Sequence, residues 1–300
     1  MVRDVTDINH PYTVSLLGNQ VDYATQFVNG AELSAVVDGT GLVRMPLSGS
    51  PKTVVAPCGT RLFAWSPDGT AAAYVQSGQD DPQLEGLHVV SGGRDSVVNT
   101  IRNPIQGGVG CENRSSCSSF AFQVLYSPDG AYISLGQTPG TGLHVWTSSG
   151  KLATITTTAG ATKPVWSGQT LYWRDNEGVE LWRNGVESLV LPGVSWNSVH
   201  ASPAGGLIVY ETRDASGTGH IQVLDTATGT AREVAQSRGD PAFLSSRYIW
   251  YAGERPCASV SEMCLDPTTA SGITYIYDLQ TGTEAQSIIT RVYDVWPHPA

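Results

Sequence analysis

The sequence predicts an all-β fold, a β-propeller of six four-stranded blades, because one hairpin motif recurs along the chain and two further strands follow each copy. Two segments nearly match, FAWSPDGTAAAYVQ (63–76) and VLYSPDGAYISLGQ (124–137). In both, proline presets φ in the turn, aspartate caps it and glycine takes the position with positive φ. Copies recur about every 40 residues, the length of a propeller blade. The weaker copies are QFVNGAELSAVVDG (26–39), PVWSGQTLYWRD (164–175), VHASPAGGLIVYET (199–212) and AFLSSRYIWYAG (242–253).

Each hairpin is followed by a third strand, a polar turn and a fourth strand, so the repeated unit contains four strands. The chain shows no sustained period of 3.6 residues, which argues against helices. The predicted third strands are residues 42–47, 87–91, 143–147, 179–183, 220–225 and 273–279. The predicted fourth strands are residues 53–56, 97–102, 152–156, 187–191, 231–235 and 284–289.

The repeated unit resembles a known one. Ser-Pro-Asp-Gly with a following tyrosine-containing strand, and then a leucine-led strand ending in Asp-x-x-Thr-Gly, is similar to the WD40-like repeats of TolB-type propellers. The resemblance covers residues 22–300, which we expect to form the propeller. It implies a rigid platform of the kind found in periplasmic scaffolds, in sensor ectodomains and lipoproteins, and in the gating domains of prolyl-oligopeptidase-type peptidases.

The two ends of the chain leave two interpretations of how the propeller closes. Residues 1–21 are predicted to form an N-terminal extension with a closing strand in YTVSLLG (12–18). The C-terminal segment TRVYDVWPHPA (290–300) resembles a further first strand. We favour six blades with these ends at the seam. The alternative is a seventh blade assembled from both termini, because a propeller avoids open strand edges.

Composition argues against several classes of partner. The formal net charge is −10, and 40% of the 300 residues are hydrophobic. Nucleic acids and anionic membrane surfaces are bound through clustered Lys and Arg, so neither is expected as a partner. No apolar run is long enough to span a bilayer. The N-terminal residues do not form a signal peptide, so the leader of an exported protein is expected outside this sequence. We expect the protein to be a monomer.

The cysteines favour an oxidising compartment. Cys111 and Cys117 lie close together in one polar loop, and Cys257 and Cys264 in another. Such pairs predict two local disulfides and a secreted, periplasmic or cell-surface protein, although free thiols are the alternative. The Cys-x2-Cys spacing of a zinc site is absent. Cys58 remains and is expected to be a buried thiol, unless the disulfide partners exchange.

The longest connections are predicted to lie on one face of the propeller. In a four-stranded blade, the first-to-second and third-to-fourth turns share a face, and the other connections leave from the opposite one. All five cysteines and the long segments 77–86, 103–118 and 254–272 fall on that opposite face, called here the loop face. Such loops on a rigid scaffold commonly carry function, but they could instead plug the channel. The candidate binding residues are Asp80, Asp81, Glu85, Glu112, Arg114, His200, Glu254 and Arg255.

Few residues suggest specific chemistry. His200 lies in a first strand and could act as a ligand or a base, or as a hydrogen-bonded filler, whereas His88 and His144 recur in third strands and suggest a structural role. The acidic residues of segments 77–86 and 254–272 could bind Ca2+, although a solvated acidic loop is the alternative. No other cofactor and no catalytic residue is predicted. Trp196 could stack on a sugar if it is exposed.

The leading hypothesis is therefore a non-catalytic, extracytoplasmic propeller that binds a protein or peptide through the loop face. It would be the ectodomain of an envelope or sensor protein. The alternative is a propeller-type enzyme, a lyase, hydrolase or cyclase acting on a glycan or peptide with a metal in its channel. A third interpretation is a purely structural domain.

Overall fold

The structure, a computed structural model, describes residues 2–4, 12–14, 21–37, 40–47, 51–76, 86–99, 120–138, 143–150, 152–154, 162–253, 273–289 and 292. Within these ranges the protein is all β, and six antiparallel sheets of four strands follow one another along the chain. Strand order in each sheet is sequential. The predicted fold, a propeller of six four-stranded blades, is confirmed. The sheets fall into two compact units, residues 1–159 and 160–300, which are described separately.

The first unit contains blades 1 to 3 and a small N-terminal sheet. Blade 1 consists of β3 (Val21–Asn29), β4 (Glu32–Val37), β5 (Gly41–Pro46) and β6 (Thr53–Ala56). Blade 2 consists of β7 (Thr60–Trp65), β8 (Ala71–Gln76), β9 (Gly86–Ser91) and β10 (Arg94–Asn99). Blade 3 consists of β11 (Phe120–Tyr126), β12 (Tyr132–Thr138), β13 (Leu143–Thr147) and β14 (Leu152–Thr154).

The N-terminal extension forms its own two-stranded sheet. In it, β1 (Val2–Asp4) pairs antiparallel with β2 (Tyr12–Val14). The strand expected near residues 12–18 is therefore present at its beginning, but its partner among the described residues is the N-terminal segment and not a blade. Residues 293–300, the other half of the alternative seventh blade, lie outside the described residues.

The second unit contains blades 4 to 6. Blade 4 consists of β15 (Thr162–Ser167), β16 (Thr170–Arg174), β17 (Gly178–Arg183) and β18 (Val186–Pro192). Blade 5 consists of β19 (Val199–Ala201), β20 (Leu207–Arg213), β21 (Gly219–Asp225) and β22 (Thr230–Gln236). Blade 6 consists of β23 (Arg238–Phe243), β24 (Tyr248–Gly253), β25 (Thr274–Asp278) and β26 (Thr283–Ser287).

Second strands carry most of the core because both of their faces are covered by other elements. In β8 and β24 five of the six residues are buried, so these strands are continuous apolar runs and do not alternate. The large aromatic residues of the second strands are among the most buried side chains, including Tyr74 on β8, Trp173 on β16, Tyr210 on β20 and Tyr251 on β24. Fourth strands are the opposite: in β18 and β22 the first four residues are exposed.

The Ser-Pro-Asp-Gly turns have the predicted chemistry. The Ser66 hydroxyl donates to Asp68 Oδ1 at 2.7 Å, and Ser127 does the same to Asp129 at 2.6 Å. The Gly69 amide closes its turn onto the Ser66 carbonyl at 2.8 Å. The hydrogen bond from Ser66 and those from Thr70 hold the pKa of Asp68 below its usual value, because the carboxylate is the form that accepts them.

Blade 5 has the same turn without its acceptor, which gives a first prediction. Gly205 closes onto the Ser202 carbonyl at 2.8 Å, but Ala204 replaces the aspartate, and the buried Ser202 hydroxyl has no hydrogen-bond partner among the described residues. Ala204→Asp should therefore raise the free energy of unfolding by about 1 kcal/mol at pH 7. Because the carboxylate is the bound form, the pKa of the introduced aspartate would be lower in the folded than in the unfolded chain. The gain in unfolding free energy should therefore be lost as pH falls through the folded pKa.

Urea unfolding at pH 7 and at acidic pH measures this gain, and a Ser202→Ala background is the control. In the Ser202→Ala background, Ala204→Asp should raise the free energy of unfolding by clearly less than in the original chain. An equal gain with and without Ser202 would contradict the hydrogen bond as its cause.

The first-to-second turn and the third-to-fourth turn of a blade lie at the same end of its sheet, as predicted. In four blades the first residue after the third strand donates its amide to a carbonyl of the first-to-second turn, at 2.8 to 2.9 Å. These bonds are Leu47 to Ala31, Ser148 to Ala131, Thr226 to Gly206 and Leu279 to Arg247. In blade 6 the Arg247 guanidinium also donates to Asp278 at 2.9 Å. The remaining connections therefore leave each blade from its other end, which is the loop face.

Two glycines allow the third and fourth strands to approach closely at the loop face. Gly41 and Gly178 have φ of +108° and +146°, a region that other residues rarely adopt. A Cβ atom would lie 2.3 Å from the Ala56 carbonyl oxygen at Gly41, and 2.2 Å from that of Leu191 at Gly178. Only glycine fits these two positions without moving the fourth strand.

Candidate functional site

Two of the four non-glycine residues described with positive φ lie where first strands of the second unit begin, at the loop face. Pairing is shifted between Thr162 and Val165 in β15, and between Gly239 and Ala242 in β23. Inside these bulges, Lys163 and Asp240 have φ of 53° and 54°. Each precedes a proline, a position that already restricts the backbone. Strain of this kind persists only where the surrounding structure imposes it, and it clusters at functional sites.

Lys163 and Asp240 occupy equivalent places, three residues before Trp166 and Phe243, and Ser198 occupies that place in blade 5, three residues before Ala201. We call these three residues the bulge row. Lys163 lies on β15, Asp240 lies on β23 and Ser198 directly precedes β19, which contacts both of the other strands. The Ser198 hydroxyl donates to Asp240 Oδ1 at 2.9 Å, which joins blades 5 and 6 directly. Lys163 is exposed, and Asp240 and Ser198 are half-buried.

A buried glutamate forms hydrogen bonds with two residues of the bulge row. Glu211, on β20, is only 4% exposed, and its Oε2 accepts the Asp240 amide at 2.9 Å. Its Oε1 pairs with the Arg213 guanidinium at 2.6 Å. Its backbone is also bonded, because the Glu211 amide donates to the Ser198 carbonyl at 2.9 Å. Glu211 thus fixes the bulge of blade 6 and the entry to blade 5 at the same time.

The same side chains continue into a loop. Arg213 donates its second guanidinium nitrogen to the Gly217 carbonyl at 2.8 Å. Gly217 lies in the connection between β20 and β21, residues 214–218, which is called here the blade 5 loop. A continuous polar chain therefore runs from Ser198 through Asp240, Glu211 and Arg213 to this loop. The bulge row and the blade 5 loop are held by one set of hydrogen bonds and ion pairs.

Among the binding residues predicted from sequence, His200 is the one that lies in the described ranges. It is exposed on β19, two residues after Ser198, whereas Val165 and Ala242 are buried at the equivalent places. His200 therefore lies beside the bulge row. The other predicted site residues lie outside the described residues, namely Asp80, Asp81, Glu85, Glu112, Arg114, Glu254 and Arg255, as do Cys111, Cys117, Cys257 and Cys264.

Blade 4 places several carboxylates near the loop face. Burial, a hydrogen bond to Asp175 and the charges of Asp175, Glu187 and Glu177 raise the pKa of Glu180 to about 7. Asp175 Oδ1 also accepts the amides of Glu177 and Gly178, at 2.7 and 3.1 Å. A carboxyl that titrates near neutral pH can give or take a proton. Across the described residues, however, no three His, Cys, Asp or Glu side chains are grouped to hold a metal ion.

Two expectations from sequence are wrong. Cys58 is exposed and not buried, because it lies in the short connection between β6 and β7. Trp196 has no exposed surface and cannot stack on a sugar, because it packs in the apolar core between blades 4 and 5.

The structural role predicted for His88 agrees with its surroundings. It is 1% exposed, it stacks on Tyr74 with ring centroids 5.0 Å apart, and its Nδ1 lies 3.0 Å from Asp95. In blade 3, His144 stacks on Trp146 in a similar way, at 5.7 Å.

In the part of the chain that the structure describes, no helix is long and apolar enough to cross a membrane.

Solved structures share this fold at low sequence identity. An oligogalacturonate lyase in complex with manganese superposes with a TM-score of 0.58 at 14% identity, over 89% of this chain and 75% of the lyase. TolB from Acinetobacter baumannii gives a TM-score of 0.50 at 14% identity, over 85% of this chain and 59% of TolB. A prolyl endopeptidase gives 0.58 at 13% identity, over 86% of this chain and 40% of the peptidase.

No family model matches the chain, and no curated protein matches it either. This chain spans 59% of TolB and 40% of the prolyl endopeptidase, so the likeness covers only part of each of these proteins. At these identities it establishes a common architecture and no common activity. The resemblance read from the repeats is nonetheless confirmed: the chain has the fold of a TolB-like β-propeller.

Proposed function

We propose that this protein is an extracytoplasmic binding module that holds a protein or peptide partner at the loop face, beside the bulge row. The observation that carries the proposal is the strained and supported placement of Lys163 and Asp240. Three neighbouring first strands present a cation, a hydroxyl and a carboxylate at one position, with His200 next to them. The longest connection of the second unit, between β24 and β25, leaves its sheet from this same end, and such connections are the usual place for recognition on a rigid scaffold.

The bulges also indicate how a partner would be recognised. A partner that adds a strand to an open edge needs the N–H groups of that edge. Pro164 and Pro241 have no N–H to donate, and they directly follow the exposed Lys163 and the half-buried Asp240. Recognition would therefore depend on side chains, with Lys163 contacting acidic groups and Asp240 contacting donors. The two predicted disulfides would belong to this proposal, because they would staple the long segments in a secreted, periplasmic or cell-surface protein.

Peptide selection tests this proposal. A random peptide library displayed on phage would be selected against the whole chain, and binding of the enriched peptides would be measured for Lys163→Asn. Asparagine tolerates positive φ, so the change removes the charge and leaves the backbone in place. We expect affinity for peptides to fall about 10-fold, the effect of losing one charged contact.

Arg183→Asn is the matched control, because it removes the same charge from an exposed residue of blade 4 at the opposite end of the sheet. It should leave peptide affinity unchanged. Peptides that bind both variants as well as the original chain would show that the bulge row is not the recognition site.

A second candidate, favoured by the raised pKa of Glu180, is a propeller-type lyase, hydrolase or cyclase that acts on a glycan or peptide. In that case a metal in the channel would have His200 or channel carboxylates among its ligands. Measuring bound divalent metal in the purified chain separates the two candidates. One equivalent of metal that survives dialysis would favour the enzyme, and a metal-free chain that still binds peptides would favour the binding module.

A further inference from the structure

His220 stands between two carboxylates on blade 5. Its Nδ1 lies 2.9 Å from Glu233 Oε2, and its Nε2 lies 3.4 Å from Asp214 Oδ2. An ionised carboxylate only accepts hydrogen bonds, and a neutral imidazole carries a single N–H. Only the doubly protonated imidazolium can therefore donate to both partners. In the neutral ring, one nitrogen lone pair would face a carboxylate oxygen.

One of these carboxylates organises the blade 5 loop. Asp214 Oδ1 accepts the Ser216 amide at 2.8 Å, the Ser216 hydroxyl at 2.6 Å and the Thr218 amide at 3.0 Å. These bonds, with that of Ser216 first, lower the pKa of Asp214 to about 2, so Asp214 stays ionised at all but strongly acidic pH. The loop is thus folded around Asp214, and His220 is the side chain that reaches Asp214 from the sheet.

The other carboxylate belongs to the outermost strand. Glu233, on β22, accepts Gln236 Nε2 at 2.6 Å and Gln222 Nε2 at 3.3 Å. These hydrogen bonds, that of Gln236 first, and the contact with His220 lower the pKa of Glu233. His220 therefore connects the blade 5 loop to β22. Without it, the described contacts that tie the loop to the sheet are the Arg213 bond to Gly217 and the backbone ladder.

The charged groups around His220 all favour its proton. The titratable groups facing it are Asp214 from the loop and Glu233 from β22, while Arg213 on β20 is bound to Gly217 and Glu211. Burial disfavours the charged ring, but the hydrogen bonds and charges of Glu233 and Asp214 outweigh burial and raise the pKa of His220. The side chain is 21% exposed, so its proton exchanges with solvent.

We infer that His220 is a pH-sensitive latch, whose imidazolium ties the blade 5 loop to β22 and whose deprotonation loosens that loop at the loop face. Its folded pKa is raised above an unfolded value of about 6.5. The stabilisation is therefore fully present below about pH 6.5 and lost as pH rises through the folded pKa. At the acidic end it is lost again when Glu233 is protonated. The latch does not depend on the proposed binding function.

Hydrogen exchange of the whole chain tests the latch. Protection factors for residues 214–218, corrected for the intrinsic pH dependence of exchange, would be measured from pH 5.5 to 9. We expect protection to fall about five-fold as His220 loses its proton, the size of effect typical of partly exposed pairs. In His220→Gln, protection should be low and independent of pH.

His200→Gln is the matched control, because it removes an exposed histidine from the same blade and should retain the full pH dependence. The Cε1–H resonance of His220 should titrate above about pH 6.5, and Glu233→Gln should shift that midpoint downward. Protection that stays flat across the pH range, or a His220→Gln profile that matches the original chain, would overturn the latch. A midpoint at or below the unperturbed value would do the same.

Discussion

Replacing Gly178 with alanine should cost about 4 kcal/mol of unfolding free energy. Two penalties combine at this position. A residue with a Cβ is strained at φ +146°, and the new methyl group would lie 2.2 Å from the Leu191 carbonyl oxygen and 2.9 Å from the Gly193 nitrogen. Both contacts are with backbone, so no side chain can rotate to relieve them. Urea unfolding would show a lower midpoint without a change in slope.

Gly168→Ala is the matched control for this substitution. Gly168 also has positive φ, at +57°, but a Cβ there would meet nothing within 4 Å. It should cost only about 1 kcal/mol, the strain of a left-handed residue alone. Equal losses for Gly168→Ala and Gly178→Ala would mean that the close approach of the third and fourth strands contributes nothing.

Glu211→Ala should cost about 3 kcal/mol, because it leaves the Arg213 guanidinium and the Asp240 amide without their shared acceptor in a largely buried place. The penalty is set below that of a fully buried pair because the Arg213 side chain is 30% exposed. Thermal or urea unfolding of the whole chain measures this loss. Peptide binding should weaken in the same variant, because Glu211 holds the bulge that positions Asp240.

Two companion variants separate the ion pair from the general loss of a side chain. Glu177→Ala removes an exposed glutamate from the same unit and should change stability by less than about 0.5 kcal/mol. In an Arg213→Ala background, Glu211→Ala should cost markedly less than in the original chain. Full additivity of the two substitutions would show that the Glu211–Arg213 contact is not a stabilising interaction.

The blades could be predicted from sequence because their determinants are local and repeated. Each turn carries its own φ-setting proline, capping aspartate and glycine, and the structure reproduces their hydrogen bonds at Ser66 and Ser127. The errors are also local. The fourth strand of blade 2 begins at Arg94 and not at residue 97, because Gly92 and Gly93, with φ of 57° and 74°, form a two-residue hairpin turn.

The candidate site was largely missed, because it depends on contacts between residues far apart in the chain. Nothing in the sequence around Glu211 indicates that its carboxylate meets the amide of Asp240, 29 residues further on. Two features of the sequence do mark irregular backbone in the blades. Lys-Pro and Asp-Pro stand at equivalent places in blades 4 and 6, which marks a break in regular pairing. A glycine opens the third strands at Gly41, Gly86, Gly178 and Gly219, one residue before each of the predicted starts at residues 42, 87, 179 and 220.

The chain of bonds from Ser198 to Gly217 also bears on how the second unit unfolds. Repeat proteins generally behave as a row of modules whose stability is the sum of each module and its contacts with its neighbours. A hydrogen bond from the Asp240 amide to the Glu211 carboxylate spans blades 5 and 6 and strengthens this boundary, so opening of the C-terminal module must break it. We therefore expect partial unfolding from that end to be discouraged, and blades 5 and 6 to lose structure together.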